Sequence, residues 1–117
     1  MIRAASAALA LAALAAQPAS AAPDGGRLFM LTCKGCHQPK TSVMAPSLQG
    51  VAGRQIAADP VFKYSAGLKA KKGTWTDANL DAYLTAPAVF APGSLMPMSV
   101  ASAENRAAII AFLKTQK

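Results

Sequence analysis

From Ala4 to Ala16 the chain is an unbroken run of Ala, Leu and Ser, and beyond it apolar residues come only in short groups with helical spacing. Asp24, Thr76 and Ser102 each stand just ahead of such a group. All three are residue types whose side-chain oxygen can accept from the free N–H groups of a helix's first turn. The spacing predicts a first helix from Asp24 through about Cys36, with Leu28 and Phe29 on an inward face. A second runs over Asp77 to Ala86 until Pro87 stops it, because proline lacks the N–H that the next turn needs. A last helix follows Ser102, its Ile109, Ile110, Phe112 and Leu113 forming one broad apolar stripe, with Lys114 and Lys117 at the negative end of its dipole. Gly25, having no side chain, would let the first helix approach the last closely, beside Phe29 and Phe112. No stretch alternates over strand length. Pro39 through Gly53 reads as turn-rich loop, and neither an internal repeat nor a linker divides the chain. The expected class is all-α, three main helices joined by long loops.

The leading run changes what the composition means. Arg3 precedes it, and Gln17-Pro18-Ala19-Ser20-Ala21 follows, with small residues at both positions of an A-x-A cleavage site. That is the layout of a secretory signal peptide. A membrane anchor is the alternative, but the run falls well short of the roughly 20 apolar residues that cross a bilayer, and Pro23-Asp24-Gly25-Gly26 ends any continuation. Cleavage after Ala21 would release residues 22–117 as one exported domain, expected in the periplasm. The full chain has 117 residues, 53% of them hydrophobic, and 12 Lys plus Arg against 5 Asp plus Glu, a net charge of +7 that includes Arg3. A core this small holds a thin margin over chain entropy and is often completed by a disulfide, a metal or a cofactor. Excess positive charge suits acidic partners or plain solubility. Nucleic acid is not expected, since the chain shows no recognition motif or interleaved aromatic patch, and export argues against it.

The chain has two cysteines and one histidine, and they fall together as Cys33-Lys34-Gly35-Cys36-His37. C-x-x-C-H is the arrangement in which both thiols add across the vinyl groups of a haem and the histidine ligates its iron. Residues three apart on a helix share a face, so both sulfurs reach one porphyrin edge. A thioredoxin-type dithiol would need a βαβ setting that is missing here. A zinc site would need four ligands. A disulfide between such close neighbours would close almost no loop and restrain little of the unfolded chain. The second axial position is open to methionine, lysine, water or nothing. Among the methionines, Met30 lies in the helix of the cysteines and Met44 soon after His37, whereas Met96 and Met98 lie far downstream in Pro92-Gly93-Ser94-Leu95-Met96-Pro97-Met98. Pro and Gly hold that segment in turn and extended conformations, a suitable arm for the other haem face.

With these residues in view, the chain resembles a small soluble class I cytochrome c, similar to the mitochondrial protein and its bacterial counterparts, over almost all of residues 22–117. The matching positions include Gly25 and Phe29, Ala45-Pro46-Ser47-Leu48-Gln49-Gly50, Gly53-Arg54, Phe62-Lys63-Tyr64-Ser65 and Gly73-Thr74-Trp75. Leu80-Asp81-Ala82-Tyr83-Leu84 with Pro87, Pro92-Gly93-Ser94-Leu95-Met96 and Arg106 to Leu113 continue the order. The resemblance implies the cytochrome c fold, wrapped around one covalent haem c. It implies Met96 as the distal ligand opposite His37, with the Pro46 carbonyl accepting the free ring N–H of His37. It further implies that Arg54, Tyr64, Trp75 and Ser94 donate to a buried haem propionate, and that Tyr83 bonds the Met96 sulfur. Iron held on both faces has no vacant site, so the implied role is a monomeric one-electron carrier, not an enzyme. Its expected partners are redox proteins with acidic docking surfaces, such as an oxidase, reductase or dehydrogenase, which Lys34, Lys40, Lys63, Lys69, Lys71 and Lys72 would steer. Two other readings stay open: the haem subunit of a larger dehydrogenase, and a haem enzyme or gas sensor if the methionine is displaced. Three departures from the family pattern stand out. The segment from His37 to Pro46 is three residues shorter, Leu68 replaces a frequent polar residue, and Met98 replaces an aromatic two positions beyond the ligand, which leaves a second thioether within reach and Met98 as the alternative to Met96.

Overall fold

A computed structural model describes residues 1, 8–13 and 22–117. The proposed cleavage site, Arg3 and much of the leading apolar run lie outside the described residues. The chain forms α1 (Gly25–Thr32), α2 (Ala66–Lys69), α3 (Asp77–Thr85), α4 (Pro87–Phe90) and α5 (Ala103–Leu113), and among the described residues the only strand-like pairing is a single antiparallel bridge, Gln55 to Thr74. The three expected caps all form. Arg27 N–H donates to the Asp24 carboxylate at 3.1 Å, Asn79 N–H to the Thr76 hydroxyl at 3.1 Å, and Asn105 N–H to the Ser102 hydroxyl at 3.2 Å. Ser65 caps α2 in the same way, accepting from Leu68 N–H at 3.2 Å.

The first helix ends earlier than its spacing predicts, at Thr32 instead of about Cys36. Cys33 N–H and Lys34 N–H both donate to the Phe29 carbonyl, at 2.9 and 3.0 Å, so the four-residue step of the ladder is lost and Cys33 to Cys36 run on as a turn. Pro87 stops α3 as expected and also opens α4, where its missing N–H leaves nothing unpaired. α2 and α4, a single turn each, are too short to show any period in sequence.

α1 packs on α5 at Gly25, where an added Cβ would run into the Ala108 carbonyl. Beside this crossing the rings of Phe29 and Phe112 lie 5.1 Å apart. α5 also holds α3, because Arg106 Nε donates to Asp81 at 2.7 Å while its Nη1 donates to the carbonyls of Val100 and Ala101 at 2.9 and 3.0 Å. Val100 N–H in turn donates to the Leu84 carbonyl at 2.8 Å, so the segment entering α5 is tied to the end of α3. A second close approach seats α2, since a Cβ on Gly67 would overlap the Pro92 carbonyl. The core joins Leu80 and Leu84 of α3, Ile109, Ile110 and Leu113 of α5, and Val51, Ile56, Leu68 and Trp75 from the loops. Burying each of the large aliphatic side chains stabilises the fold by roughly 1.5–3 kcal/mol. Several of these side chains, Leu68, Leu80, Leu84, Ile109 and Leu113 among them, also face an internal cavity.

Candidate functional site

The cavity has a volume of about 440 Å³, within the roughly 300–1,000 Å³ of small-molecule and cofactor sites. Every site residue singled out from sequence lines it: Cys33, Cys36 and His37 from the turn after α1, Pro46 and Arg54 from the loop that follows, and Tyr64, Trp75, Tyr83, Ser94 and Met96 from farther on. Residues from both halves of the chain thus meet around one space.

His37 Nδ1 donates to the Pro46 carbonyl at 2.8 Å, the bond expected from sequence. With the proton fixed on Nδ1, the Nε2 lone pair is free, as a metal ligand requires. Burial pushes the imidazole below its ordinary pKa, and the Pro46 carbonyl pulls it partly back. The ring is therefore neutral at neutral pH. Cys33 is half-buried and Cys36 exposed, both as free thiols. Burial pushes the Cys33 thiol up, opposed by a 3.4 Å contact with the Thr32 hydroxyl. Among the described residues no cluster of three or more His, Cys, Asp or Glu side chains could hold a metal by itself, which removes the zinc reading from them.

Arg54 donates from Nη1 to Gln49 and from Nη2 to Ser47, at 3.3 and 3.4 Å, to backbone carbonyls in both cases. Its Nε is buried without a protein partner. An unpaired N–H on a buried guanidinium is costly, and Arg54 is among the cavity's lining residues, where an anionic group of a bound molecule would balance its charge. The Tyr64 hydroxyl accepts from Asp59 N–H at 3.2 Å, and burial raises its pKa. Trp75 packs between rings, 5.2 Å from Tyr83 and 5.7 Å from Phe90.

Tyr83 and Ser94 are partnered differently from the expectation. The Tyr83 hydroxyl pairs with Ser94 Oγ at 3.0 Å and not with the Met96 sulfur. Ser94 Oγ also accepts from Met96 N–H at 3.3 Å. The turn closed by Ser94 N–H on the Ala91 carbonyl, at 2.9 Å, brings this hydroxyl to the ring ahead of the thioether two residues later. Tyr83 therefore positions the methionine's backbone through Ser94.

The sequence reading passed over Asp59 and Thr41. The Thr41 hydroxyl donates to the Asp59 carboxylate and accepts from Ser47 N–H at 2.9 Å. Asp59 also accepts from the N–H groups of Val61 and Phe62 at 2.8 and 3.3 Å. These bonds join the Pro46 loop to the Tyr64 segment. The Asp59-Pro60 pair carried the signal, since an aspartate before proline commonly opens a turn.

A haem fits this site. The walls are largely apolar, two thiols and a neutral imidazole stand at the chain turn, a thioether comes from the distant loop, and the Arg54 cation on the lining suits an anion such as a propionate.

The comparisons point the same way. A sequence profile described as cytochrome c matches residues 22–117. A cytochrome c-type protein, cyt cy of Rhodobacter capsulatus, is 40% identical over 96 residues, covering 80% of this chain and 48% of its own length. Cytochrome c2 of Rhodomicrobium vannielii is 35% identical over 98 residues, covering 80% of this chain and 78% of its own. The chain thus spans about half the length of the first relative and most of the second. Among solved structures, cytochrome cH from Methylobacterium extorquens superposes with a TM-score of 0.72 at 31% identity, over 78% of this chain and 94% of that one.

Proposed function

We propose, starting from the fact that this chain belongs to the cytochrome c family, that it is a periplasmic one-electron carrier whose haem c is held by His37 and Met96. The family carries one covalently bound haem c, and Cys33 and Cys36 are the thiols present to bind it. That group supplies reversible one-electron exchange between ferric and ferrous iron. The protein's part is to bind, orient and shield. Pro46 fixes the His37 ring through Nδ1, which leaves Nε2 for the metal. Ser94 and Tyr83 hold the backbone of Met96. Arg54 supplies a positive charge for a propionate, and Leu68, Leu80, Leu84 and Ile109 keep water from the site.

The observation that carries the reading is the convergence of a neutral, Nδ1-anchored His37 and a Met96 thioether on one apolar cavity. With His37 and Met96 both engaged, small ligands would be kept off the iron, and one-electron exchange is the chemistry the group would supply. Partners are acidic redox proteins, attracted by Lys34, Lys40, Lys63, Lys69 and Lys72, which are all exposed. Such attraction is screened over about 8–10 Å at moderate salt. Among the described residues no helix is long and apolar enough to cross a membrane.

The test is an absorption spectrum of the purified ferric and ferrous protein. A near-infrared sulfur-to-iron charge-transfer band, with no carbon monoxide binding by the ferrous form at neutral pH, is the expected result. A missing band with ready carbon monoxide binding would favour the enzyme or sensor reading.

A further inference from the structure

The cavity is lined by a second downstream thioether. Met98 follows Met96 across a single proline, and both side chains face the same space. The reason lies in the backbone. Pro97 excludes the helical region for Met96, the segment from Met96 to Val100 has no regular structure, and in extended chain residues two apart point to the same side. Met96 packs against the core cluster, whereas Met98 is 43% exposed at the cavity rim. One thioether is therefore seated and the other poised.

Few hydrogen bonds hold the segment between its anchors. On one side stands the Ser94 turn, held by Ala91 and Tyr83. On the other, Val100 is fixed by Leu84 and Arg106. Between these anchors the described hydrogen bonding consists of Met96 N–H on Ser94 Oγ at 3.3 Å. Gly93, with φ at +83°, is a joint at the start of the arm. A shift of two residues along this arm breaks no helix and buries no charge, and methionine's unbranched side chain adapts to a changed path more readily than a branched one. Met44, the other thioether on the lining, lies two residues before Pro46, whose carbonyl engages His37. It is tied to the proximal loop.

We infer that Met98 is a reserve axial ligand, a second thioether able to take the position of Met96 and keep the iron closed when Met96 is lost or the arm loosens. This rests on the His37 and Met96 reading above, and the experiment separates the two. Haem-loaded unaltered protein, Met96→Ala, Met98→Leu and the double variant Met96→Ala with Met98→Leu are compared by near-infrared absorption and by carbon monoxide titration of the ferrous form. Met98→Leu should keep the band. Met96→Ala should keep a shifted band and bind carbon monoxide about tenfold more weakly than the double variant, the factor expected if Met98 leaves the position open about a tenth of the time. A Met96→Ala protein without the band, and with the same carbon monoxide affinity as the double variant, overturns the reserve ligand. Absence of the band from the unaltered protein overturns the parent reading instead. Should Met96→Ala fail to fold, guanidinium titration of the unaltered protein and Met98→Leu decides. Earlier loss of the band in Met98→Leu, with an unmoved helix transition, supports the inference, and coincident loss in both proteins rejects it.

Discussion

Asp59 shows what one half-buried carboxylate does for this site. Its pKa is held below the ordinary value of 3.8, first by the Thr41 hydroxyl, then by the Val61 N–H, with Phe62 N–H and the nearby Arg54 charge adding to the effect. A carboxyl whose pKa is lower in the folded than in the unfolded protein adds stability while it is ionised. That contribution is complete above the unfolded value and is lost as pH falls through the folded one. Asp59→Asn should therefore cost about 1 kcal/mol at pH 7, the low end for a bond to a charged group because solvent still reaches this half-buried position. The variant should also lose less stability than the unaltered protein as pH falls below 3.8. Urea midpoints measured from pH 7 down to pH 3 check this, and parallel profiles for the two proteins would show that Asp59 has no such role. Thr41 carries the effect inward, because it accepts from Ser47 N–H, and the Ser47 carbonyl accepts from Arg54. Little of this was legible in sequence: Asp59-Pro60 marks a turn, but nothing local names the partners its carboxylate takes. The bonds join residues 18 apart in the case of Thr41 and Asp59, and no spacing rule connects them.

Among the elements, the crossing of α1 and α5 tolerates little change. Alanine normally favours a helix over glycine by about 1 kcal/mol, so Gly25→Ala would stabilise an isolated α1. Here the added methyl meets the Ala108 carbonyl, a backbone atom that cannot turn aside, and the helices must part. The net cost should be about 1–3 kcal/mol, typical of overpacking. Gly26→Ala meets the edge of the Phe112 ring at 3.3 Å, a side chain able to yield, and should be close to neutral. Thermal unfolding of the two variants makes the comparison, and equal melting temperatures would refute it. The Gly25 contact and the caps at Asp24, Thr76 and Ser102 could be read from sequence because each depends on a residue type at a local position. The end of α1 could not, since it is set by Lys34 N–H sharing the Phe29 carbonyl. Gly67 went unnoticed for a similar reason, its partner Pro92 lying in a different loop.

On the scale of the whole molecule, the cavity lies where a chain of this size would otherwise place its core. Its walls include Leu68, Trp75, Leu80, Leu84, Ile109 and Leu113, most of the large side chains that the core contains. Without an occupant these groups lack contacts on one side, and the margin over chain entropy shrinks. Replacing Cys33 and Cys36 together by alanine should abolish covalent attachment and leave little folded protein. Helix content by circular dichroism is the measure. A haem-free variant with native helicity and a sharp melting transition would show that the polypeptide core suffices alone. The site was largely legible because Cys33, Cys36 and His37 are contiguous, whereas the pairing of Tyr83 with Ser94 depended on how one turn is closed.

The pairing of α1 with α5 also sets an order of events during synthesis. The contact that closes the fold joins the earliest helix to the latest, so α1 leaves the ribosome with no partner and must wait for nearly the whole domain to follow. Until that contact forms, the turn carrying Cys33, Cys36 and His37 stays open chain, its thiols accessible before the pocket shuts. Long-range closure of this kind slows folding more than it affects stability, because the entropy of a large loop is spent before any contact repays it. A circular permutant that makes α1 and α5 neighbours in sequence should collapse sooner, leaving less time for the thiols to be reached. Slow topology is then an advantage to a protein that has to be chemically modified before it is allowed to fold.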